Sequence, residues 1–86
     1  MSFIIGRDGA KVAKAKDWTA QVKGILKAEL KRRNVSYAEL ADKLAAVGIK
    51  ENERNIANKI ARGSFTAVFF VQCLEAIGCE TVHLKY

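Results

Sequence analysis

Apolar residues recur three and four positions apart in four separate stretches of the chain, which is the spacing that places them on one face of a helix. The stretches predict helices over about residues 17–33, 36–48, 52–62 and 66–78. In the second stretch the apolar face contains Tyr37, Leu40, Ala41, Leu44 and Ala45. The pattern therefore indicates an all-α domain of four to five helices.

The residues that flank these stretches favour helix ends at the same places. Candidate N-terminal capping residues are Asp17, Ser36, Glu51 or Asn52, and Thr66. Ser36 is followed three positions later by Glu39, and this pair is typical of a capping box. Candidate stops are Asn34, Gly48, Gly63 and Gly78, because asparagine and glycine adopt the left-handed conformation that ends many helices.

The two ends of the chain lack the helical pattern. Residues 1–16 predict a partly flexible basic arm, since Gly6 and Gly9 interrupt any regular spacing. Residues 81–86 alternate polar and apolar side chains, which predicts a short, half-buried β-strand. We therefore expect one domain over residues 17–86, with the arm before it and the strand at its end.

The fourth predicted helix is apolar on nearly all sides, which is typical of a buried helix or of a subunit interface. The predicted strand beside it would have an unpaired edge, which favours pairing with another chain. We expect a two-fold homodimer formed through the fourth helix, the strand, or both. The expected interface residues are Phe70, Val71, Leu74, Val82, Leu84 and Tyr86.

Positive charge is concentrated in the first part of the chain. The net charge is +6, and residues 1–35 account for all of it, whereas residues 36–86 carry six basic and six acidic side chains. Such an imbalance favours a polyanionic partner, most often nucleic acid and less often an anionic membrane. The alternative is a solvated surface that only keeps the protein soluble.

Candidate catalytic and metal-binding residues are sparse. The single histidine, His83, has no carboxylate or cysteine at a spacing typical of catalysis. Cys73 and Cys79 lack the second pair of a zinc site, so no metal or cofactor is expected. No apolar stretch approaches the roughly 18 residues of a membrane span. We expect a cytoplasmic protein that is not an enzyme, with no small-molecule substrate and no membrane partner.

Residues 36–78 read SYAELADKLAAVGIKENERNIANKIARGSFTAVFFVQCLEAIG and resemble the phage-repressor and Cro-type helix-turn-helix family. The matching pieces are Ser36, Glu39-Leu40-Ala41, Lys43-Leu44, Gly48-Ile49, Ile60, Arg62-Gly63 and the closing Leu-Glu-Ala-Ile-Gly. The spacing from Ala41 to Gly48 is longer than is usual in that family by roughly one helical turn. The whole chain also resembles a small uncharacterised bacterial family, through Tyr37 and an Asn-Lys-Ile-x-Arg-Gly-x-Phe core.

The repressor resemblance implies a helix-turn-helix over about residues 36–63, with its third helix in the major groove of double-stranded DNA. It implies sequence-specific DNA binding by a transcriptional regulator. Bases would be read by Arg54, Asn55, Asn58 and Lys59, because arginine and asparagine make paired contacts to guanine and adenine respectively. Phosphates would be held by Lys31, Arg32, Arg33, Arg62 and the arm residues Lys11, Lys14 and Lys16.

Other interpretations of the same sequence stay open. The scaffold could serve as a protein-interaction module, such as an antitoxin or adaptor, that does not bind DNA. The fourth helix and the tail would then form the functional surface. RNA binding through the basic first helix is a weaker alternative. The polar side of the third helix could also be only the solvated face of a bundle.

Overall fold

The computed structural model describes residues 17–85, and this part of the chain forms four α-helices and no β-strand. The helices are α1 (Trp18–Arg32), α2 (Tyr37–Ala46), α3 (Glu53–Arg62) and α4 (Ala67–Ala76). The all-α prediction is confirmed, and each helix lies within its predicted stretch. The predicted arm over residues 1–16, with its lysines Lys11, Lys14 and Lys16, lies outside the described residues.

Side-chain caps fix where the helices begin, as the sequence predicts. Each capping side chain accepts a hydrogen bond from the backbone N–H of the residue three positions later. The four capping residues are Asp17, Ser36, Asn52 and Thr66. The Glu39 carboxylate also accepts the backbone N–H of Ser36 at 2.8 Å, which completes the capping box. The backbone N–H of Ser36 therefore lowers the pKa of Glu39 below its ordinary value. The predicted stops Asn34, Gly48, Gly63 and Gly78 all have positive φ.

The core lies where α3 and α4 meet the other two helices. α2 packs against α3 and α4, and α1 packs against the same pair. The buried side chains that form one continuous cluster are Leu26, Leu30, Leu40, Leu44, Ile56, Ile60, Phe69, Cys73, Leu74 and Cys79. Cys73 is fully buried, and burial raises the pKa of its thiol to about 12. Cys73 therefore serves as a small core residue.

A close contact joins α1 to the end of α3. Gly63 ends α3 at φ +69, and a Cβ added there would lie 2.6 Å from Cγ2 of Thr19. The Lys23 ammonium donates a hydrogen bond to the backbone carbonyl of Ala61 at 3.1 Å. A cation is favourable at the carbonyl end of a helix, so Lys23 stabilises the last turn of α3 from the neighbouring helix.

The predicted C-terminal strand is wrong for residues 81–85, which adopt no regular structure. Alternation predicts a strand only where another extended segment can pair with it, and the described residues contain none. The tail is instead held to α1, because the Gln21 amide donates to the carbonyl of Leu84 at 2.9 Å. The Leu84 side chain stays 68% exposed. Tyr86 lies outside the described residues.

Candidate nucleic-acid interface

The polar side of α3 points away from the core. Ile56 and Ile60 are fully buried and hold one side of the helix against its neighbours. Residues along a helix rotate by roughly 100° each, so Arg54 and Asn58 lie on the opposite side. Both are exposed. We call the outward surface formed by Arg54, Asn58, Ala61 and Arg62 the α3 outer face.

The polar side chains of the α3 outer face are unengaged. Within residues 17–85, the side chains of Arg54, Asn58 and Arg62 form no ion pair or hydrogen bond. Glu53 in the first turn is exposed, and it is the only acidic residue within α3. The face therefore presents two guanidinium groups and one amide to any ligand that reaches it.

Asn55 lies to one side of this face. Its side chain lines an open groove of about 440 Å³ with Ala45 at the end of α2 and Lys50 in the following loop. Asn55 is exposed, but its surroundings are those of the α2–α3 junction. Asn55 thus lies at the edge of the α3 outer face, next to the α2–α3 junction, whereas Asn58 lies at its centre.

Lys59 is engaged within the domain. Its ammonium forms an ion pair with Glu51, whose side chain is only 10% exposed. The same ammonium lies 4.8 Å from the centre of the Phe69 ring, which favours a cation on its face. Lys59 therefore links the α2–α3 loop to α4, and a base contact from it would require these two interactions to break.

The connection between α2 and α3 is packed into the domain. It covers residues 47–52. Ile49 packs against the core, and its N–H donates to the carbonyl of Leu44 at 2.9 Å. Glu51 then pairs with Lys59 on α3. The lengthened span from Ala41 to Gly48 noted in the sequence lies mostly in α2, which continues to Ala46, and the connection that follows is packed against the core and against α3.

The arginines at the end of α1 surround a buried acid. Glu29 is 4% exposed, and its two carboxylate oxygens accept hydrogen bonds from Arg32 and Arg33. The hydrogen bond from Arg33, aided by Arg32, holds the pKa of Glu29 below its ordinary value against the opposing effect of burial. One negative charge thus offsets part of the positive charge that the sequence places here.

Sequence reasoning missed the roles of Glu29 and Lys23. A signal for Glu29 was present, since it falls within the apolar side of α1 and precedes Arg32 and Arg33 by three and four positions. Nothing in the sequence distinguishes Lys23 from the lysines that follow it on α1. Lys27, one turn after Lys23, and Lys31, two turns after it, share its side of the helix and are exposed.

The expected dimer residues separate in the structure. Leu74 is buried in the core of its own chain, which corrects its assignment to an interface. Phe70 is half-buried and packs against Phe65, with 6.0 Å between the ring centres. Val71 is 58% exposed, and Val68, which sequence analysis did not select, is 65% exposed. An apolar surface on α4 therefore remains, but it is smaller than predicted.

Comparison with known proteins identifies the family of this chain but no relative of known activity. No helix within residues 17–85 is long and apolar enough to cross a membrane. No curated protein and no solved structure matches the chain. The family model described as a domain of unknown function (DUF6471) matches residues 18–82, a range that contains α1, α2, α3 and α4. The chain therefore belongs to the DUF6471 family.

Proposed function

We propose that this chain is a sequence-specific double-stranded DNA-binding module of the repressor-like helix-turn-helix kind, working in transcription regulation. The observation that carries the proposal is the α3 outer face. It combines Arg54, Asn58 and Arg62 on one exposed surface, without intramolecular partners in the described part of the chain. Base edges in the major groove are recognised by such guanidinium and amide groups.

The packing of α3 supports the same proposal. The helix is held from behind by α2 and at its end by α1, so its outer face is presented on a rigid support. A recognition helix requires such a support because its side chains must meet base edges in a fixed register. The capped start at Asn52 and the tight end at Gly63 limit fraying of the ten-residue helix.

Basic residues at the end of α3 and along α1 supply candidate phosphate contacts. Arg62 lies at the end of the α3 outer face, and Lys27 and Lys31 continue the basic side of α1 beyond Lys23. Cations beside a recognition helix position it on the duplex without reading sequence. Arg32 and Arg33 are the weaker members of the predicted set, since both are hydrogen-bonded to Glu29.

The proposal includes a second copy of the chain. The ten residues of α3 span roughly 15 Å, which allows contact with only a few base pairs. A dimer doubles the site that is read and increases affinity through two linked contacts. Val68 and Val71 on α4, and Val82 and Leu84 in the tail, are exposed apolar residues available for this contact. Sedimentation of the chain and of a Val68→Asp, Val71→Asp variant tests it, and a wild-type monomer at high micromolar concentration contradicts it.

The direct test of DNA binding is a gel-shift titration with the full chain. Random duplex fragments, single-stranded DNA and single-stranded RNA of the same length are compared at several salt concentrations. We expect the duplex to be retained best, and a subset of duplex sequences to resist competitor DNA. Preferential retention of RNA would support the basic-helix alternative, and no retention of any nucleic acid would overturn the proposal.

The competing function is a protein-interaction module, and the exposure of Val68 and Val71 is the observation that favours it. The two functions differ in which surface they require. An Arg54→Ala substitution should weaken selective DNA binding while leaving self-association intact. A Val71→Asp substitution should disrupt association with any protein partner. If only the second substitution impairs the protein in a cell, the interaction function takes precedence.

A further inference from the structure

We propose that Arg54 and Asn58 form a reading pair for a guanine and an adenine that lie within about two base-pair steps of each other. This inference rests on the proposed DNA-binding function and specifies the duplex that the α3 outer face selects. The observation behind it is that Arg54 and Asn58 lie one helical turn apart on the α3 outer face, both exposed and both without a side-chain partner among residues 17–85.

The spacing of the pair sets the spacing of the bases. Arg54 and Asn58 are four residues apart, so their Cα atoms are separated by roughly 6 Å along the helix axis. Base pairs in a duplex are roughly 3.4 Å apart. A helix that lies along the groove therefore brings the two side chains to positions about two steps apart, and a tilted helix brings them to neighbouring positions.

The chemistry of the pair sets the identity of the bases. The guanidinium fork of Arg54 matches the N7 and O6 acceptors of guanine, whereas the amide of Asn58 matches the N7 acceptor and N6 donor of adenine. Among the described residues, neither side chain has an ion pair or hydrogen bond that would have to break before it contacts a base. Both contacts are made without the cost of breaking an existing ion pair.

The other polar residues of α3 are assigned different roles by their surroundings. Lys59 is held by Glu51 and by the ring of Phe69, and it positions α3 on the loop and on α4. The Asn55 side chain is exposed and unpaired within residues 17–85, and it lines the groove at the end of α2, beside Ala45, at the edge of the α3 outer face. Ala61 is exposed one turn after Asn58 and presents only a methyl group, so it allows close approach of the groove surface.

Selection from a library of random duplexes tests the pair. The full chain and its Arg54→Ala, Asn58→Ala, Asn58→Gln and Asn55→Ala variants are used, and each variant is first shown to unfold at the wild-type temperature. We expect the wild-type chain to enrich a guanine and an adenine separated by no more than about two steps. Arg54→Ala should lose only the guanine preference, and Asn58→Ala only the adenine preference.

The matched variants exclude a merely structural effect. Asn58→Gln should keep the adenine preference because glutamine presents the same amide, and Asn55→Ala should leave the selected sequence unchanged. On the selected duplex, each of the two disabling substitutions should weaken binding roughly 5–150-fold. Their effect on a duplex that lacks the guanine and adenine should be several times smaller.

Two different results would overturn the inference, and they are distinguishable. If the chain retains duplexes but enriches no such pair, or if Asn55→Ala changes the selected sequence as much as Asn58→Ala, the reading pair is wrong while DNA binding stands. If no duplex is retained at any salt concentration, the proposed function fails together with the inference.

Discussion

The end of α1 and the outer face of α3 look alike in the sequence and differ in the structure. The end of α1 carries Lys31, Arg32 and Arg33, and α3 carries Arg54, Lys59 and Arg62. At the end of α1, Arg32 and Arg33 close around the buried carboxylate of Glu29. On α3, Arg54 and Arg62 point outward, and no acid pairs with them among residues 17–85. The two arginines at the end of α1 are ion-paired within the domain, whereas the two arginines of α3 have no such pairing in the described part of the chain and are accessible to a ligand.

This difference shows that charge density along a sequence does not measure the charge available to a partner. A buried carboxylate requires compensation, because burying an unpaired charge is costly. The nearest cations on its helix meet that requirement at the i+3 and i+4 positions. A cation without such a neighbour has no internal ion pair to break before it contacts an anion, so we expect a larger contribution to phosphate binding from Arg62 than from Arg33.

The largest expected effect concerns the contact between α1 and α3. Gly63→Ala should destabilise the domain by roughly 2–4 kcal/mol, because the new methyl group meets Thr19 at 2.6 Å and a positive φ is unfavourable for alanine. The matched control is Gly48→Ala, which has a similar φ of +84 but open space around the added Cβ. It should cost only about 1 kcal/mol. Equal losses in chemical denaturation would show that the Thr19 contact is unimportant.

A second prediction concerns stability in acid. The folded-state pKa of Glu29 is lowered by Arg33 and Arg32, so its stabilising contribution is present above the ordinary glutamate pKa and is lost as pH falls through the lowered value. The backbone N–H of Ser36 likewise lowers the pKa of Glu39, so the stability that this group contributes is also lost in acid. Thermal unfolding between neutral and strongly acidic pH should show this loss.

Glu29→Gln supplies the control for the acid prediction. At neutral pH it should destabilise the domain by roughly 1–3 kcal/mol, since a charge-assisted interaction is replaced by a neutral one. Its stability should then fall less with acid than that of the wild-type chain. A variant with an unchanged acid dependence would mean that Glu29 and its arginines contribute little to the pH response.

The smallest expected effect is a gain in DNA affinity. Glu29→Gln removes the acid that engages Arg32 and Arg33, so duplex affinity at low salt should rise by a factor of a few, without a change in the preferred sequence. Competition gel shifts on selected and random duplexes measure this. A loss of affinity in the folded variant would indicate that Glu29 positions its arginines for phosphate contact, contrary to the comparison above.

The fold could be predicted largely from local signals in the sequence. Capping residues and stops act on the backbone within a few positions, so Ser36 with Glu39 and the left-handed Gly63 were recognisable without tertiary information. The tail could not be predicted in this way. Whether an alternating segment becomes a strand depends on a partner strand elsewhere, and that information is absent from residues 81–85 themselves.

The candidate site was predictable as a segment but not residue by residue. Periodicity shows that Arg54 and Asn58 oppose Ile56 and Ile60, and the structure agrees. Periodicity does not show that Lys59 pairs with Glu51, because that contact joins a loop to a helix across eight positions. Periodicity also does not show which side of α4 packs against the core, because a helix that is apolar on all sides has no single apolar face. In the structure Leu74 is buried and Val71 is exposed.

The most direct test of the comparison is the salt dependence of duplex binding by Arg62→Ala and Arg33→Ala. The two variants remove the same side chain from segments of similar composition. Each phosphate contact contributes about −0.9 to the slope of log affinity against log salt concentration. We predict that Arg62→Ala makes the slope less steep by about one and that Arg33→Ala changes it by less than half as much. A larger change from Arg33→Ala, or a flat wild-type response, would contradict the account.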